Sequence, residues 1–198
     1  NQNKGLHIQT LERPIEYLFI NNQSIIEQRE VGRDVSTFSQ GLKDMFNEDI
    51  DVVYVGELYE KGIEEIILEL AESGKLIILI MDANSVISAL ERFISSLAPD
   101  RRSWGQELLA EVLLGILGQR LLGRLGDGLI LAPEVLTVSN AVKASIKDNN
   151  LHQLNSIMQT SRDEGMVILD KSLFELIKAG DISIGEAQRE AMDPQSFK

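Results

Sequence analysis

The fold of this chain is decided by residues 28–57. They begin with Gln28-Arg29-Glu30-Val31-Gly32-Arg33-Asp34 and end with Val52-Val53-Tyr54-Val55-Gly56-Glu57. The run from Val52 to Val55 has the β-branched and aromatic composition of a buried strand. Glu57 follows the end of that strand, and a parallel α/β sheet places its ligands and its chemistry at the carboxyl ends of its strands. The stretch therefore predicts an α/β protein with a functional site beside Glu57.

Strand and helix patterns alternate on both sides of this segment. Short apolar or mixed runs predict strands at 6–11, 51–55, 76–81 and 129–135. Because residues 76–81 are apolar throughout, we expect that strand to be covered on both faces. Apolar residues at helical spacing predict helices at 35–46, 62–73, 85–97 and 103–122, the first capped by Asp34 or Ser36 and the second ended by Gly74.

After residue 138 the patterns are helical only, at 139–147, 151–160, 167–179 and 185–192. Alternating strands and helices followed by a helical tail predict an α/β core with a carboxyl-terminal helical bundle. We place the core at residues 1–138 and the helical region at 139–198.

The composition indicates a globular, acidic protein. Of the 198 residues, 43% are hydrophobic, and 19 basic residues against 31 acidic ones give a net charge of −12. This balance argues against a nucleic-acid partner or an anionic membrane surface. The absence of cysteine, with only His7 and His152, argues against disulfides and a structural zinc site.

The apolar runs are too short or too interrupted to span a membrane, so we predict a cytoplasmic protein without membrane insertion. The chain starts with Asn1-Gln2-Asn3-Lys4-Gly5, without an initiator Met or a signal-peptide pattern. We interpret it as part of a longer protein.

The order and spacing of several segments resemble the secretion-ATPase family of type IV pilus and type II secretion systems, especially its pilus-retraction (PilT-like) branch. HIQTLERPIEYL at 7–18 resembles the Asp box of that family, GELYE at 56–60 its Walker B segment, and SGKLIILIMDANS at 73–85 its His box. LLGILGQRLL at 113–122 and the residues from 132 onward follow its carboxyl-terminal pattern. The resemblance covers nearly the whole chain and implies a RecA-like (P-loop NTPase-type) parallel sheet core.

The resemblance also implies ATP and Mg²⁺ as cofactors and assigns roles to five residues. Glu57 matches the Walker B glutamate that helps to place Mg²⁺ and the attacking water, and Glu12 and Glu16 match the two Asp-box glutamates. These three are the predicted catalytic residues. Arg29 and Arg33 match arginines that reach toward nucleotide phosphates, sometimes across a subunit boundary, and guanidinium groups suit phosphate geometry. The alternatives stay open: Glu57 as an exposed residue closing a strand, and the arginines as surface partners of Glu30 and Asp34.

The chain departs from the family pattern at several positions. The phosphate loop, G-x-x-x-x-G-K-[ST], does not occur in these 198 residues, and residues 123–128 are interpreted as a turn. Arg13 stands where the family has an acid, which reverses the charge beside the metal and nucleotide. Tyr59 replaces an arginine, and Lys75 and Asp82 replace the two histidines of the His box. We therefore expect weakened nucleotide chemistry and predict no metal-ligand set in this chain itself.

Three functions remain open. The first is a motor ATPase-family domain for pilus retraction or type II secretion, inactive in ATP hydrolysis as this chain stands. By resemblance it would form a homo-oligomer (a hexamer in the family) or join a related motor subunit, and would sit peripherally on an inner-membrane pilus or secretion platform protein. The alternative is a non-catalytic ring subunit or scaffold, which keeps the subunit contacts and binds no cofactor. The third is a gene remnant without function.

The missing phosphate loop has a structural consequence. In the family, the strand leading into the loop lies inside the sheet, so its absence would leave backbone groups of the flanking strands unpaired. Each such group costs about 1–3 kcal/mol if it is buried. We therefore expect either lower stability than a complete domain has, or a rearranged or gapped sheet.

Overall fold

The structure is a computed structural model that describes residues 1–56 and 60–197. The chain divides into two compact units, residues 1–82 with 92–112, and residues 83–91 with 113–198. The strands are β1 His7–Glu12, β2 Ile25–Glu30, β3 Val52–Val55, β4 Leu76–Leu79, β5 Gly115–Gly123 and β6 Leu129–Thr137. The α-helices are α1 Phe38–Asp44, α2 Glu64–Glu72, α3 Val86–Ser96, α4 Arg102–Val112, α5 Asn140–Lys147, α6 Leu154–Thr160, α7 Leu169–Ala179 and α8 Ile184–Glu190. The α/β architecture predicted from the sequence is confirmed.

The first unit contains a four-stranded parallel sheet in the order β2-β1-β3-β4. Successive residues of a strand point to opposite faces, so the register sorts the side chains into two sets. Leu11 pairs with Arg29 and Val55, which places these three on one face. Helix α1 packs on this face, since a Cβ built on Gly41 would lie only 2.9 Å from Leu11 Cδ1. The core of the unit, including Leu11, Leu42, Val53, Val55 and Leu70, is fully buried.

The opposite face of the sheet differs from the sequence prediction at β4. Leu76, Ile78 and Ile80 are between 43% and 45% exposed. β4 lies at the end of the strand order, with β3 on one side. The expectation that residues 76–81 form a strand covered on both faces is therefore wrong: apolar composition alone does not distinguish a buried strand from one with a half-exposed face.

Helix α1 starts later than the sequence predicts. Its N-cap is Thr37, whose hydroxyl accepts a 3.0 Å hydrogen bond from the Gln40 amide. The predicted caps, Asp34 and Ser36, do not cap this helix; Asp34 instead accepts a hydrogen bond from the Glu30 amide. Helix α2 ends as predicted, with Gly74 in the left-handed region at φ +97°.

The second unit is built on an antiparallel pair, β5 and β6. Residues 124–128 connect these strands, so the turn predicted at 123–128 is present except that Gly123 still belongs to β5. The prediction of a helix continuing to residue 122 is wrong, because α4 ends at Val112 and residues 115–123 are extended. The inner side of the pair packs on α7 and α8, with a core of Leu122, Ala132, Leu169, Leu173, Ile182, Ala187 and Phe197.

The helical tail is confirmed, since α5 to α8 cover the four segments predicted after residue 138. The domain boundary expected after 138 stays a prediction. The described strands belong to two separate sheets. The expected gap left by the absent phosphate-loop strand stays a prediction. No helix within residues 1–56 and 60–197 has the length and hydropathy needed to cross a membrane.

Candidate functional site

Glu12 ends β1 and is held at the carboxyl edge of the parallel sheet. Its side chain is largely buried, with 8% of the residue exposed. Its Oε1 accepts hydrogen bonds from the Thr10 hydroxyl at 2.5 Å and from Gln28 Nε2 at 3.1 Å. Both hydrogen bonds end on Oε1, so neither of them occupies Oε2. A carboxylate fixed in this way can present one oxygen to a cation or a water molecule.

Gly56 follows β3 and lies beside Glu12. The Gly56 amide donates to the Leu11 carbonyl at 2.9 Å. A Cβ on Gly56 would lie 3.4 Å from Glu12 Cα and 3.5 Å from Glu12 Cγ. The absence of a side chain at Gly56 thus lets the ends of β1 and β3 approach closely, which brings Gly56 against Glu12.

Glu16 lies four residues beyond Glu12, in the exposed segment between β1 and β2. The backbone on both sides of it is held by side chains of β2. The amide of Ile15 donates to Glu30 Oε2 at 3.1 Å, and the carbonyl of Tyr17 accepts from Gln28 Nε2 at 2.9 Å. Glu16 is therefore exposed on a segment whose backbone is fixed.

Tyr54 is a further member of the site. It pairs with Thr10 in the sheet register and therefore shares a face with Glu12. Burial raises the pKa of the Tyr54 phenol, and the carboxylates of Glu12 and Glu16 raise it further. Both acids thus act on the same phenol, which stays protonated and available as a hydrogen-bond donor at neutral pH.

Arg29 points away from this group of residues. It pairs with Leu11, on the face of the sheet that α1 covers, whereas Glu12 pairs with Glu30 on the other face. Arg29 Nη2 contacts both oxygens of Glu48, at 2.9 and 3.0 Å. The structure therefore does not bring Arg29 together with Glu12. The alternative interpretation paired Arg29 with Glu30 on the surface, but the carboxylate that Arg29 contacts is Glu48.

Arg33 is exposed and forms an ion pair with its neighbour Asp34, with Nη2 3.0 Å from Oδ2. This is the surface pair that the alternative interpretation named. The interaction raises the pKa of Arg33 and lowers that of Asp34. A nucleotide role for either arginine stays a prediction.

Glu57 and Tyr59 lie outside the described residues, so the Walker B assignment has no structural test here. Glu60, just beyond them, accepts a 3.0 Å hydrogen bond from the Phe38 amide at the start of α1. Glu60 thus anchors the start of α1.

Three departures from the family pattern lie within the described residues, and the side chain of one of them, Lys75, has a structural role. Arg13 is exposed next to Glu12. The Lys75 ammonium donates to the carbonyls of Glu48 and Ile50, at 3.1 and 3.3 Å. The carbonyl of Asp82 accepts a hydrogen bond from Arg92. In the described structure, the cation at position 75 therefore holds the turn before β3.

The described residues contain no cluster of three or more His, Asp or Glu side chains placed to hold a metal. Glu12 and Glu16 could supply acidic oxygens for Mg²⁺, completed by a nucleotide. Sequence patterns did not point to Thr10, Gln28, Glu30 or Tyr54. The signal that finds them is the strand register, because these residues share one face with Glu12.

Comparison with known proteins identifies related sequences. A family model described as "Type II/IV secretion system protein" matches residues 1–128. The type IV pilus retraction ATPase PilT of Pseudomonas aeruginosa is 30% identical over 197 residues, covering 100% of this chain and 57% of its own length. A twitching motility protein of Neisseria gonorrhoeae is 30% identical over 198 residues, covering 100% of this chain and 53% of its own length. The chain spans about half the length of these curated relatives.

Solved structures give the same result. A crystal structure of the pilus retraction motor PilT with bound ADP matches 98% of this chain and 55% of its own, with 34% identity and a TM-score of 0.90. The Legionella pneumophila ATPase DotB matches 96% of this chain and 52% of its own, with 16% identity and a TM-score of 0.83. The second match is evidence for a shared fold alone.

Proposed function

Because this chain belongs to the type II/IV secretion system protein family, in its pilus-retraction (PilT-like) branch, we propose that it is a domain of an ATP-driven pilus or secretion motor. It contributes the acidic half of a nucleotide site, and as it stands it does not hydrolyse ATP. Residues 1–138 form the partial RecA-like core and residues 139–198 the helical region. The proposed setting is a hexameric ring in the cytoplasm that docks on a membrane-embedded platform protein.

The observation that carries this proposal is the position of Glu12. It ends β1 beside Gly56, the residue that follows β3, with Oε1 held by two hydrogen bonds. In the proposed site, Glu12, Glu16 and Glu57 would hold Mg²⁺ and orient water. Arg33 faces phosphates after exchanging its present partner Asp34, whereas Arg29, on the other face of the sheet, would reach phosphates bound by a neighbouring subunit. Bound Mg²⁺ would supply Lewis acidity to the phosphates.

The proposed lack of hydrolysis rests on two features. The 198 residues contain no G-x-x-x-x-G-K-[ST] loop, whose backbone amides and lysine would hold the phosphates. In addition, the cation at position 75 is bonded to carbonyls of the turn before β3. Positioning of the transferred phosphoryl group would therefore be incomplete.

The test is a titration of this chain with a fluorescent ATP analogue and Mg²⁺, together with an assay of phosphate release. Pseudomonas aeruginosa PilT serves as the active comparison. We expect weak, saturable binding that is reduced in a Glu12→Gln, Glu16→Gln double variant, and phosphate release at the background rate. Hydrolysis at the rate of PilT, or binding that the double variant leaves unchanged, would contradict the proposal.

The second candidate is the non-catalytic ring subunit or scaffold. The bonds from Lys75 to the Glu48 and Ile50 carbonyls favour it, because they give a structural use to a position that departs from the family pattern. Under this alternative, the wild-type chain binds no nucleotide at all but associates with itself or with a related motor subunit. Sedimentation of the chain alone and in mixture with PilT separates the two candidates.

A further inference from the structure

The side chains of β2 point alternately to the two faces of the sheet. In the run Gln28-Arg29-Glu30, the middle residue points to the α1 side of the sheet, where it contacts Glu48. Gln28 and Glu30 point to the opposite face, where they pair in register with Thr10 and Glu12. The alternation follows from the period of two along a strand. Two of the three side chains therefore face the candidate site, and neither is an arginine.

The Gln28 side chain makes three hydrogen bonds around Glu12 and Glu16. Its Nε2 donates to Glu12 Oε1 at 3.1 Å and to the Tyr17 carbonyl at 2.9 Å, and its Oε1 accepts from the Phe19 amide at 2.9 Å. These partners fix the orientation of the amide group, because the reversed orientation would place its oxygen against a carboxylate and a carbonyl. One side chain thus ties the buried acid to the segment that carries the exposed acid.

Glu30 holds the same segment at a second point. Its Oε2 accepts from the Ile15 amide at 3.1 Å, so Glu16 lies between two backbone groups that β2 side chains hold. A segment with a fixed backbone on both sides of an acidic residue restricts where that carboxylate can reach. Without the two bonds, residues 15–19 would be an exposed loop with few restraints.

We propose that Gln28 and Glu30 are positioning residues that hold Glu12 and Glu16 in the geometry that binds Mg²⁺-nucleotide. They act through the two acids and do not touch the nucleotide. The nucleotide part of this inference rests on the proposed function; the holding of residues 12–19 does not. A site is loosened when the residues that orient its ligands are removed, which costs about 10–100-fold in affinity in metal sites.

The experiment compares four variants of the full chain. Gln28→Met and Glu30→Met remove the polar groups at similar length, while Glu30→Gln keeps an acceptor oxygen. Gln40→Met is the matched control, because Gln40 lies on α1 and donates to Asp44, away from these partners. NMR measures amide exchange at Phe19 and Ile15, with the β1 and β3 amides as the check that the sheet remains folded. A titration with the fluorescent ATP analogue and Mg²⁺ measures binding.

We expect Gln28→Met to speed exchange at Phe19 about tenfold, and Glu30→Met to do the same at Ile15. Glu30→Gln and Gln40→Met should stay within about twofold of wild type. Nucleotide affinity should fall about tenfold in both methionine variants and be retained in the other two.

Unchanged exchange at Phe19 and Ile15 in the methionine variants would overturn the inference. So would faster exchange with undiminished nucleotide affinity, because the two acids would then bind without being held. If the wild-type chain binds no nucleotide, the proposed function fails instead. The exchange rates alone then decide whether Gln28 and Glu30 position residues 12–19.

Discussion

At the scale of single residues, His7 and Glu27 form a pH-sensitive contact between β1 and β2. His7 Nδ1 lies 2.8 Å from the Asp49 carbonyl, and Nε2 lies 3.2 Å from Glu27 Oε2. Burial alone would lower the pKa of His7, but these two acceptors raise it overall. Hydrogen bonds from His7 and Gln9 lower the pKa of Glu27. Both ring nitrogens face an acceptor, so the charged imidazolium is favoured.

The sign of the pH dependence follows from these directions. The contribution of His7 is complete below its ordinary pKa of 6.5 and is lost as pH rises through the raised value. The contribution of Glu27 is complete above its ordinary pKa of 4.5 and is lost as pH falls through the lowered value. We therefore expect Glu27→Gln to lower the free energy of unfolding most between pH 4.5 and pH 6.5, where both contributions are complete. The loss should be less than about 1 kcal/mol because the pair is partly exposed.

Urea unfolding at pH 5, 6 and 8.5 measures this effect. The deficit of Glu27→Gln should shrink as the pH rises through the raised pKa of His7, and so be smaller at pH 8.5 than at pH 6. In a His7→Gln background the deficit should no longer change between pH 6 and 8.5. A deficit that is the same at pH 5 and pH 8.5 in the wild-type background would show that the two side chains do not interact as ions.

The sequence predicted the position of Glu12 but not its partners. The resemblance to the Asp box singled out Glu12, and the structure places it at the end of β1, at the carboxyl edge of the sheet. The contacts of Glu12 depend on which strand lies beside β1 and in which register. That strand is β2, whose sequence Ile25–Glu30 is mostly polar and has no strand pattern. Gln28 was therefore unpredictable from local sequence.

At the scale of secondary-structure elements, the start of α1 gives a direct test of the observed cap. Thr37→Ala removes the hydroxyl that accepts from the Gln40 amide, and the loss of such a cap costs about 1 kcal/mol. The sequence had favoured Asp34 or Ser36. Ser36→Ala is the matched control and should change the free energy of unfolding by less than about 0.5 kcal/mol. Chemical denaturation of both variants gives the answer, and a larger loss in Ser36→Ala would restore the original prediction.

The strand β5 shows why the two-residue alternation of a strand can be overlooked in a sequence. Its inner residues, such as Leu122, pack on the core, but Leu117 and Leu121 on the outer side are also apolar and are 58% and 64% exposed. Leucine on both faces hides the alternation that identifies a strand, and the run 108–122 then reads as a helix. By contrast, the end of α2 was predictable, because helices commonly end at a glycine in the left-handed conformation and Gly74 adopts it.

The half-exposed face of β4 predicts a contrast between two substitutions. Ile78 is 45% exposed, whereas Val55 of β3 is fully buried on the α1 side. Threonine keeps the β-branched shape in both places. Ile78→Thr also removes one carbon, but at a half-exposed position, whereas Val55→Thr puts a hydroxyl into a fully buried one. We expect Ile78→Thr to cost less than about 1 kcal/mol and Val55→Thr about 1–3 kcal/mol, measured by urea unfolding. Equal costs would mean that β4 is covered on both faces in solution.

At the scale of the whole molecule, the parallel sheet is incompletely covered at β4, whereas Thr10 and Val52 on the same face are buried. Parallel sheets of α/β proteins are covered on both faces. Here one face of the four-stranded sheet has helix α1 packed on it, while the three apolar residues of the β4 region on the other face remain 43–45% exposed. The sequence resemblance predicts a gap through the absent phosphate-loop strand, and this gap in backbone pairing stays a prediction. It could not show which residues would be left half-exposed, because that depends on the strand order.

The exposed face predicts lower stability than a complete relative has. Fully burying a large aliphatic side chain contributes about 1.5–3 kcal/mol, so three half-exposed ones forgo roughly 2–4 kcal/mol in total. In a domain of this size, that difference corresponds to a melting temperature roughly 5–15 °C lower. The measurement is scanning calorimetry of this chain and of Pseudomonas aeruginosa PilT. Both are taken without nucleotide, at concentrations where sedimentation shows monomers, because ligands and oligomers add stability by mass action. A transition as high and as cooperative as that of PilT would mean that the 198 residues complete their own sheet, and the predicted gap would then be wrong.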